Sequence, residues 1–147
     1  MELRIREFEE LTTRELYEIL KLRSQVFIVE QEGCYQDLDD LDYVSTHIYM
    51  VDTDGSCIGC LRVFLKEDEP GTVQLGRLVV RDRLRGLGRK LMEEGEKIAR
   101  CRYHAHRVFL TGRRSARGFY EKCSYQISAP EDYTLENAPY FLFRKDL

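Results

Sequence analysis

The 147-residue sequence contains no apolar run close to the roughly 18 residues that a membrane-spanning helix needs, and this excludes a transmembrane protein. Its first residues, MELRIREF, lack the apolar core of a secretory signal, so we expect a cytoplasmic protein with no membrane partner. Positive charge is not in excess: 23 Lys and Arg stand against 26 Asp and Glu, which argues against nucleic-acid binding. With three prolines and no repeat or linker-like tract, residues 1–147 are expected to form one domain.

The five cysteines are an odd number and do not fit a disulfide framework. Cys57 and Cys60 form a Cys-x-x-Cys pair, but the surrounding SCIGCLRVF is typical of a β-strand. Residues three apart on a strand point to opposite faces, so we expect these two thiols to be structural and to lie apart. No second Cys or His pair stands at zinc-finger spacing, and we predict no metal site.

What the sequence does contain is a regular succession of strand and helix patterns. Alternating or apolar runs of strand length are found at LRIREF, THIYMVD, CIGCLRVFL, TVQLGRLVV, RVFLT and PYFLFRK. A capping-box match, Thr12-x-x-Glu15, predicts a helix of roughly 15 residues. Helical spacing also follows Gly86, and a short helix is predicted at SARGFYEKC. This order favours an α+β fold with one mostly antiparallel sheet.

The stretch RLVVRDRLRGLGRKLM, residues 77–92, concentrates six cationic residues and one acid in a chain that is acidic overall. A strand leads into Gly86-x-Gly88 at a helix start, where unpaired backbone amides and the helix dipole favour an anion. We therefore interpret the stretch as a phosphate or pyrophosphate cradle, the alternative being a solvated basic face whose glycines only shape a turn. A P-loop is excluded because no Gly-Lys-Ser/Thr is present, and a Rossmann fingerprint because Leu91 stands at the third glycine position.

Three segments resemble one enzyme family. RLRGLG, residues 83–88, matches the Arg/Gln-x-x-Gly-x-Gly/Ala signature of the GNAT superfamily of N-acetyltransferases. SARGFYEKCSY is similar to the superfamily's A-x-x-F-Y-x-x-x-G-F pattern. ELYEILKLRSQVFIVEQEGCYQDLDDLD resembles the opening of its ElaA-like subgroup. The three segments stand in the family's order and together cover nearly the whole chain.

The resemblance implies a GNAT-like fold, in which a mostly antiparallel central sheet with a splayed strand pair is flanked by about four helices. It also implies acetyl-CoA as the acyl donor, with its pyrophosphate on backbone amides at the helix start and its pantetheine arm along the splayed strand. The spacing from strand to glycines is two residues shorter than in the family pattern, which puts Leu78 in the slot that Val80 would take. The cofactor-binding residues implied in this way are Leu78, Val79, Val80, Arg83, Leu84, Arg85, Gly86, Leu87, Gly88, Arg89 and Arg113.

The same resemblance assigns catalytic roles. Tyr120 matches the family's general acid, a phenol that protonates the departing CoA thiolate, the alternative being a tyrosine that only packs on its helix. For the general base Glu30 is the first choice, a bound water is another, and His47 is the runner-up. Residues 28–54 contain eight acids and no lysine or arginine, so they form either an acidic acceptor cleft or a solvated loop. The candidate acceptor-site residues are Tyr35, Asp37, His47 and Tyr140, the last of which replaces a histidine common in the subgroup.

Together these features predict an N-acetyltransferase that moves an acetyl group from acetyl-CoA to a primary amine of a small-molecule acceptor. The amine would attack the thioester directly, without a covalent enzyme intermediate. Two alternatives stay open, namely an acyl-CoA-binding module without catalysis and an interaction protein that uses the acidic segment 30–54. We expect a monomer or a homodimer whose partner is a small-molecule amine.

Overall fold

The computed structural model describes residues 1–81, 86–128 and 140–147. The strands are β1 (Glu2–Glu7), β2 (Thr46–Val51), β3 (Cys57–Leu65), β4 (Thr72–Val80), β5 (Arg107–Arg113), β6 (Gln126–Ile127) and β7 (Tyr140–Asp146). The α-helices are α1 (Thr13–Arg23), α2 (Leu87–Cys101) and α3 (Arg117–Lys122), and α1 continues into a π-helical turn, Ser24–Glu30. None of the helices in the described residues is long and apolar enough to cross a membrane.

Helix α1 begins where the sequence predicts it. The Glu15 backbone N–H donates to Thr12 Oγ1 at 3.0 Å, and the Thr12 N–H donates to Glu15 Oε1 at 3.0 Å, so the capping box is present. The helical path continues past Arg23, in agreement with the predicted length of roughly 15 residues. A π-helical turn extends it, and the Gln31 N–H closes that turn on the Val26 carbonyl at 3.0 Å. Such turns are rare and are often found beside functional sites.

The strands form one sheet in the order β1-β2-β3-β4-β5-β7-β6. Every pairing among the described residues is antiparallel except that of β4 with β5, which is parallel and short. It joins residues 72–74 of β4 to residues 107–109 of β5, and beyond that point the two strands diverge. The α+β class and the splayed strand pair expected from the sequence are therefore confirmed.

The sheet separates two layers, which we call the α1 face and the α2 face. On the α1 face, helix α1 buries Ile19 and Leu22 against Tyr49 and Val79. On the α2 face, helices α2 and α3 cover the larger core, which includes Ile48, Leu61, Val63, Val73, Leu75, Leu91, Leu110 and Phe143. Because side chains alternate along a strand, each central strand contributes to both layers.

A β-bulge interrupts this alternation in β3. Met50 pairs with Gly59 while Val51 pairs with Cys57, so Ile58 is the extra residue. The bulge brings Cys57 and Cys60 into the same buried cluster on the α1 face, where the Cys57 thiol donates to the Gly59 carbonyl at 3.3 Å. The expectation that they point to opposite faces was wrong, because strict alternation does not continue through a bulge. All five cysteines are free thiols in this structure.

Candidate active site

A cleft of about 800 Å³ opens where β4 and β5 diverge. Its strand walls are residues 74–78 of β4 and residues 110–113 of β5. Met92 and Tyr120 line it from the α2 face, and residues 31–36 line it from the α1 face. The cleft is therefore a gap in the sheet itself, with access to groups from both layers.

The divergence leaves strand edges without a strand partner. In β4, residues 75–76 and 79–80 pair with β3 on one side, and no strand of the described chain pairs with the other side of residues 75–80. The same holds for residues 110–113 of β5, whose outer edge pairs with β7. Backbone amides and carbonyls at such edges need hydrogen-bond partners. An extended ligand that carries amide groups fits this gap in the way that an added strand would.

Arg77 distorts β4 at the cleft. Its φ is +53°, a left-handed conformation that costs a non-glycine residue about 1 kcal/mol. The register of β3 against β4 shifts at the same level, between Cys60 and Arg62. The Arg77 Nε lies 2.7 Å from Asp37 Oδ1, and its Nη2 lies 3.4 Å from Asp39 Oδ2. These ion pairs connect the bulge to the segment that precedes β2.

Arg77 belongs to a larger group of charges beside the cleft, which we call the ionic cluster. Its arginines come from α1, β3 and β4, and its aspartates come from the segment between the π-helical turn and β2. The Arg23 Nη1 lies 2.7 Å from Asp42 Oδ1, and the two terminal nitrogens of Arg62 each lie 2.7 Å from Asp39. The cluster consists of three cations and three anions: Arg23, Arg62, Arg77, Asp37, Asp39 and Asp42.

The pairing favours the ionised form of two of the aspartates, Asp39 and Asp42. Burial favours the neutral form of Asp39, but hydrogen bonds and charge from Arg62 outweigh it and lower the pKa to about 2. Burial acts in the same way on Asp42, and Arg23 with Arg62 lowers its pKa. Because these carboxylates are already paired with arginines, they add little net negative charge to the cleft. Across the described parts of the chain, no group of three His, Cys, Asp or Glu side chains could hold a metal ion.

The structure brings together only some of the predicted acceptor-site residues. Tyr35 and Tyr140 line the cleft. Asp37 is buried behind it in the ionic cluster. His47 lies on β2, separated from the cleft by β3, and its Nε2 is 2.9 Å from the Asp42 carbonyl. Glu30 is exposed at the end of the π-helical turn and is not among the side chains that line the cleft. These positions argue against direct contact of Glu30 or His47 with groups in the cleft.

Tyr120 is a cleft residue whose ring is held by its neighbours. The ring centroid lies 5.2 Å from that of Phe119 and 5.0 Å from that of Phe143. Its hydroxyl makes no hydrogen bond to any residue that the structure describes, and burial raises its pKa to about 12. Gly112 of β5 faces the ring so closely that a Cβ there would be 2.5 Å from it. Sequence reasoning missed this glycine, although an isolated glycine in a strand signals a close approach.

The described part of the predicted anion site is the first turn of α2, from Gly86 onward. Gly86 precedes the helix with a φ of +78°, and the Lys90 N–H bonds its carbonyl at 3.1 Å. At Gly88 a Cβ would already touch the Phe119 ring at 3.4 Å, so the helix start packs closely on α3. Arg89 is exposed and pairs with Glu93. The predicted residues Arg83, Leu84 and Arg85 lie outside the described residues.

The three predicted strand residues take different positions. Leu78 lines the cleft, and together with Val80 it packs against the core of the α2 face. Val79 points to the α1 face, where it is buried under helix α1. Leu87 is buried in the core of the α2 face. Its side chain therefore anchors the first turn of α2, and only its backbone is available to a ligand.

Comparison with known proteins agrees with this geometry. Residues 12–125 match the model of the acetyltransferase (GNAT) family. The chain belongs to the GNAT acetyltransferase family. It is 31% identical to protein ElaA of Escherichia coli over 137 residues, which cover 89% of this chain and 87% of that protein. It is 28% identical to a UPF0039 protein of Schizosaccharomyces pombe over 143 residues, which cover 95% and 93% of the two chains.

Solved GNAT structures extend the likeness to three dimensions. The crystal structure of Escherichia coli ElaA superimposes with a TM-score of 0.88 at 26% identity and covers 99% of both chains. An acyl-CoA N-acyltransferase from Pseudomonas aeruginosa superimposes with a TM-score of 0.87 at 30% identity, also over 99% of both chains. The resemblance to the ElaA-like subgroup of the GNAT family is confirmed, and acyl transfer from an acyl-CoA donor is the activity that this membership supports.

Proposed function

We propose that this GNAT protein is an N-acetyltransferase that moves an acetyl group from acetyl-CoA to a primary amine of a small molecule. The observation that carries the proposal is the gap between β4 and β5, which is lined by residues of both faces of the sheet. A donor held from the α2 face and an acceptor held from the α1 face would meet between the two strands. Direct attack needs this kind of juxtaposition and no covalent enzyme intermediate.

The donor acetyl-CoA supplies an acyl group that is already activated as a thioester. We propose that the free edge of β4, residues 75–80, hydrogen-bonds the amides of its pantetheine arm. Backbone amides at the start of α2, from Gly86 onward, would bind its pyrophosphate. From the sequence alone we propose that the three residues directly before this helix start also bind the pyrophosphate, namely Arg83, Leu84 and Arg85.

Tyr120 is the residue that we propose to act on the departing thiolate. Its pKa of about 12 keeps the phenol protonated at neutral pH. The same pKa lies above that of a thiol, near 8.5, so complete transfer of the phenolic proton is uphill. We therefore propose that the Tyr120 hydroxyl donates a hydrogen bond that stabilises the developing negative charge, and that water completes the protonation.

The amine must lose a proton, and the described cleft offers two carboxylates for this step, those of Glu32 and Asp39. Asp39 is a poor base because its pKa of about 2 leaves it with little affinity for a proton. Glu32 is exposed at the α1-face opening of the cleft. We propose that the proton leaves through water at this opening, with Glu32 as the nearest carboxylate acceptor in place of Glu30.

The ionic cluster also bears on the alternative of an interaction protein. Such a protein would present the acids of segment 30–54 to a basic partner. Asp37, Asp39 and Asp42 are instead paired internally with arginines. The enzyme is therefore the function that the geometry supports best.

Calorimetric titration with acetyl-CoA, followed by an assay of free thiol release over a panel of primary amines, tests the proposal. We expect saturable binding, thiol release that depends on the amine, and an N-acetylated product in the mass spectrum. Binding without amine-dependent release would favour the non-catalytic acyl-CoA-binding module. Absence of binding at millimolar acetyl-CoA would contradict both the donor and the enzyme assignment.

A further inference from the structure

Arg113 ends β5 on the acceptor side of the cleft. In β5, Leu110 is buried in the core of the α2 face, and Gly112 faces the Tyr120 ring on the same side. Alternation therefore directs Arg113 to the α1 face. The Arg113 Nη1 donates to Gln31 Oε1 at 2.9 Å, and Gln31 directly follows the π-helical turn on that face. Both side chains line the cleft.

The charge of Arg113 is not neutralised by the described residues. Arg62 and Arg77 also line the cleft, but each forms ion pairs with aspartates of the ionic cluster. The hydrogen-bond partner of Arg113 is a neutral amide, and no carboxylate of residues 1–81, 86–128 or 140–147 lies within ion-pair distance of its guanidinium. A half-buried guanidinium has lost part of its hydration, so a bound anion would be favoured there.

The donor is not the expected source of that anion. Its phosphates are proposed to bind at the start of α2, which covers the α2 face, whereas Arg113 points to the α1 face. The resemblance grouped Arg113 with the cofactor-binding residues, but this placement puts it with Tyr35 and Tyr140 instead. Gln31 takes up one N–H of the guanidinium and orients it, while the remaining N–H groups are available for a bidentate contact.

We propose that Arg113 binds a carboxylate carried by the acceptor, so that the substrates are amines with an acidic group at the end remote from the reacting nitrogen. This inference rests on the proposed acetyltransferase function and names its substrate class. Arg113 would bind the carboxylate while the amine of the same molecule extends between the strands toward Tyr120. In this arrangement the Tyr120 side of the cleft, which is uncharged, faces the thioester. The Arg113 side binds the carboxylate and so determines which acceptors bind.

The test compares matched acceptors that differ only in charge at the remote end. β-Alanine, 4-aminobutyrate and 6-aminohexanoate are each paired with the corresponding primary amide. For each pair, kcat/KM is measured with saturating acetyl-CoA, and the affinity is measured by calorimetry on the protein saturated with CoA. Arg113→Gln removes the charge and keeps hydrogen-bonding capacity. Arg107→Gln is the matched control, because Arg107 begins the same strand at a partly exposed position outside the cleft lining and pairs with Asp146.

For the acceptor pair whose length fits best, we expect kcat/KM and affinity to be on the order of 10-fold or more higher for the carboxylate than for the amide. Arg113→Gln should abolish this preference, so that carboxylate and amide give similar kcat/KM and similar affinity, whereas Arg107→Gln should retain the preference. Equal binding of carboxylate and amide by the unaltered protein, or a preference that survives in Arg113→Gln, would overturn the inference. If no amine is acetylated the proposed function fails, and the calorimetric comparison still decides whether Arg113 binds a carboxylate.

Discussion

On the α2 face the cleft is walled by rings and aliphatic side chains, whereas on the α1 face it is walled by arginines, carboxylates and amides together with the rings of Tyr35 and Tyr140. The first wall is uncharged and raises the pKa of Tyr120 by burial. The second wall carries many charges, but most of them neutralise one another within the ionic cluster. The comparison suggests different roles for the two walls. We propose that the wall on the α2 face stabilises the leaving thiolate and that the wall on the α1 face determines which acceptor binds.

The largest expected effect comes from removing one charge from the ionic cluster, at Arg23, which is buried behind the wall of the cleft on the α1 face. Arg23→Met would take one of two arginine partners from each of the buried aspartates Asp37 and Asp42 and leave the cluster with an excess of negative charge. We expect the free energy of unfolding to fall by about 3–5 kcal/mol. Urea unfolding followed by circular dichroism measures this change. Lys21→Met is the control, since Lys21 is exposed on the same helix and its loss should cost less than about 0.5 kcal/mol. Similar losses in the two variants would mean that the ionic cluster does not stabilise the fold.

A smaller effect is expected from crowding the apolar wall. Gly112→Ala places a Cβ 2.5 Å from the Tyr120 ring and 3.0 Å from Phe143, and overpacking of this kind costs about 1–3 kcal/mol. Because the ring must move, the rate of acetyl transfer should fall as well. Gly118→Ala is the control, because a Cβ there meets nothing within 4 Å and alanine is the better helix former. An unchanged stability of Gly112→Ala would contradict the close packing of Tyr120 on β5.

The smallest expected effect is the pH dependence of stability that Asp39, on the α1-face side of the cleft, contributes. The folded-state pKa of Asp39, about 2, lies below its usual value of 3.8, so the unfolded chain binds the proton more readily. The resulting stability is fully present above about pH 5 and is lost as the pH falls through 4 toward 2. Since Asp39 is partly exposed, we expect a contribution of only about 1 kcal/mol after solvent screening. Unfolding measured between pH 7 and pH 3 should show a shallower loss in Asp39→Asn than in the unaltered protein, and identical slopes would contradict the pairing.

Much of the fold could be predicted from local patterns. The strands β2, β3, β4 and β5 are marked by β-branched runs between turns, and α1 by its capping box. Strand β6 was missed because two residues carry no periodicity. The bulges at Ile58 and Arg77 were also missed, and with them the common face of Cys57 and Cys60. The glycines beside these bulges are the only signal that the sequence offers.

The candidate site was predictable where it depends on short motifs. The SARGFYEKCSY segment pointed to Tyr120, which lines the cleft. The acidic segment could not be interpreted correctly, because its pairing partners Arg23, Arg62 and Arg77 stand 14 to 40 positions away from the aspartates that they bind. The roles of Gln31 and Arg113 were equally hidden, since their contact spans 82 positions. Long-range pairing of this kind is a property of the folded chain.

The most direct measurement of the central claim is amine-dependent thiol release by Tyr120→Phe compared with the unaltered protein. The substitution removes one hydroxyl from the apolar wall and leaves the ring packing in place, so stability and acetyl-CoA affinity should change little. We expect kcat to fall by about 10²- to 10⁴-fold, because the hydrogen bond to the developing thiolate is lost. An unchanged kcat in Tyr120→Phe would contradict the role of this wall in the reaction.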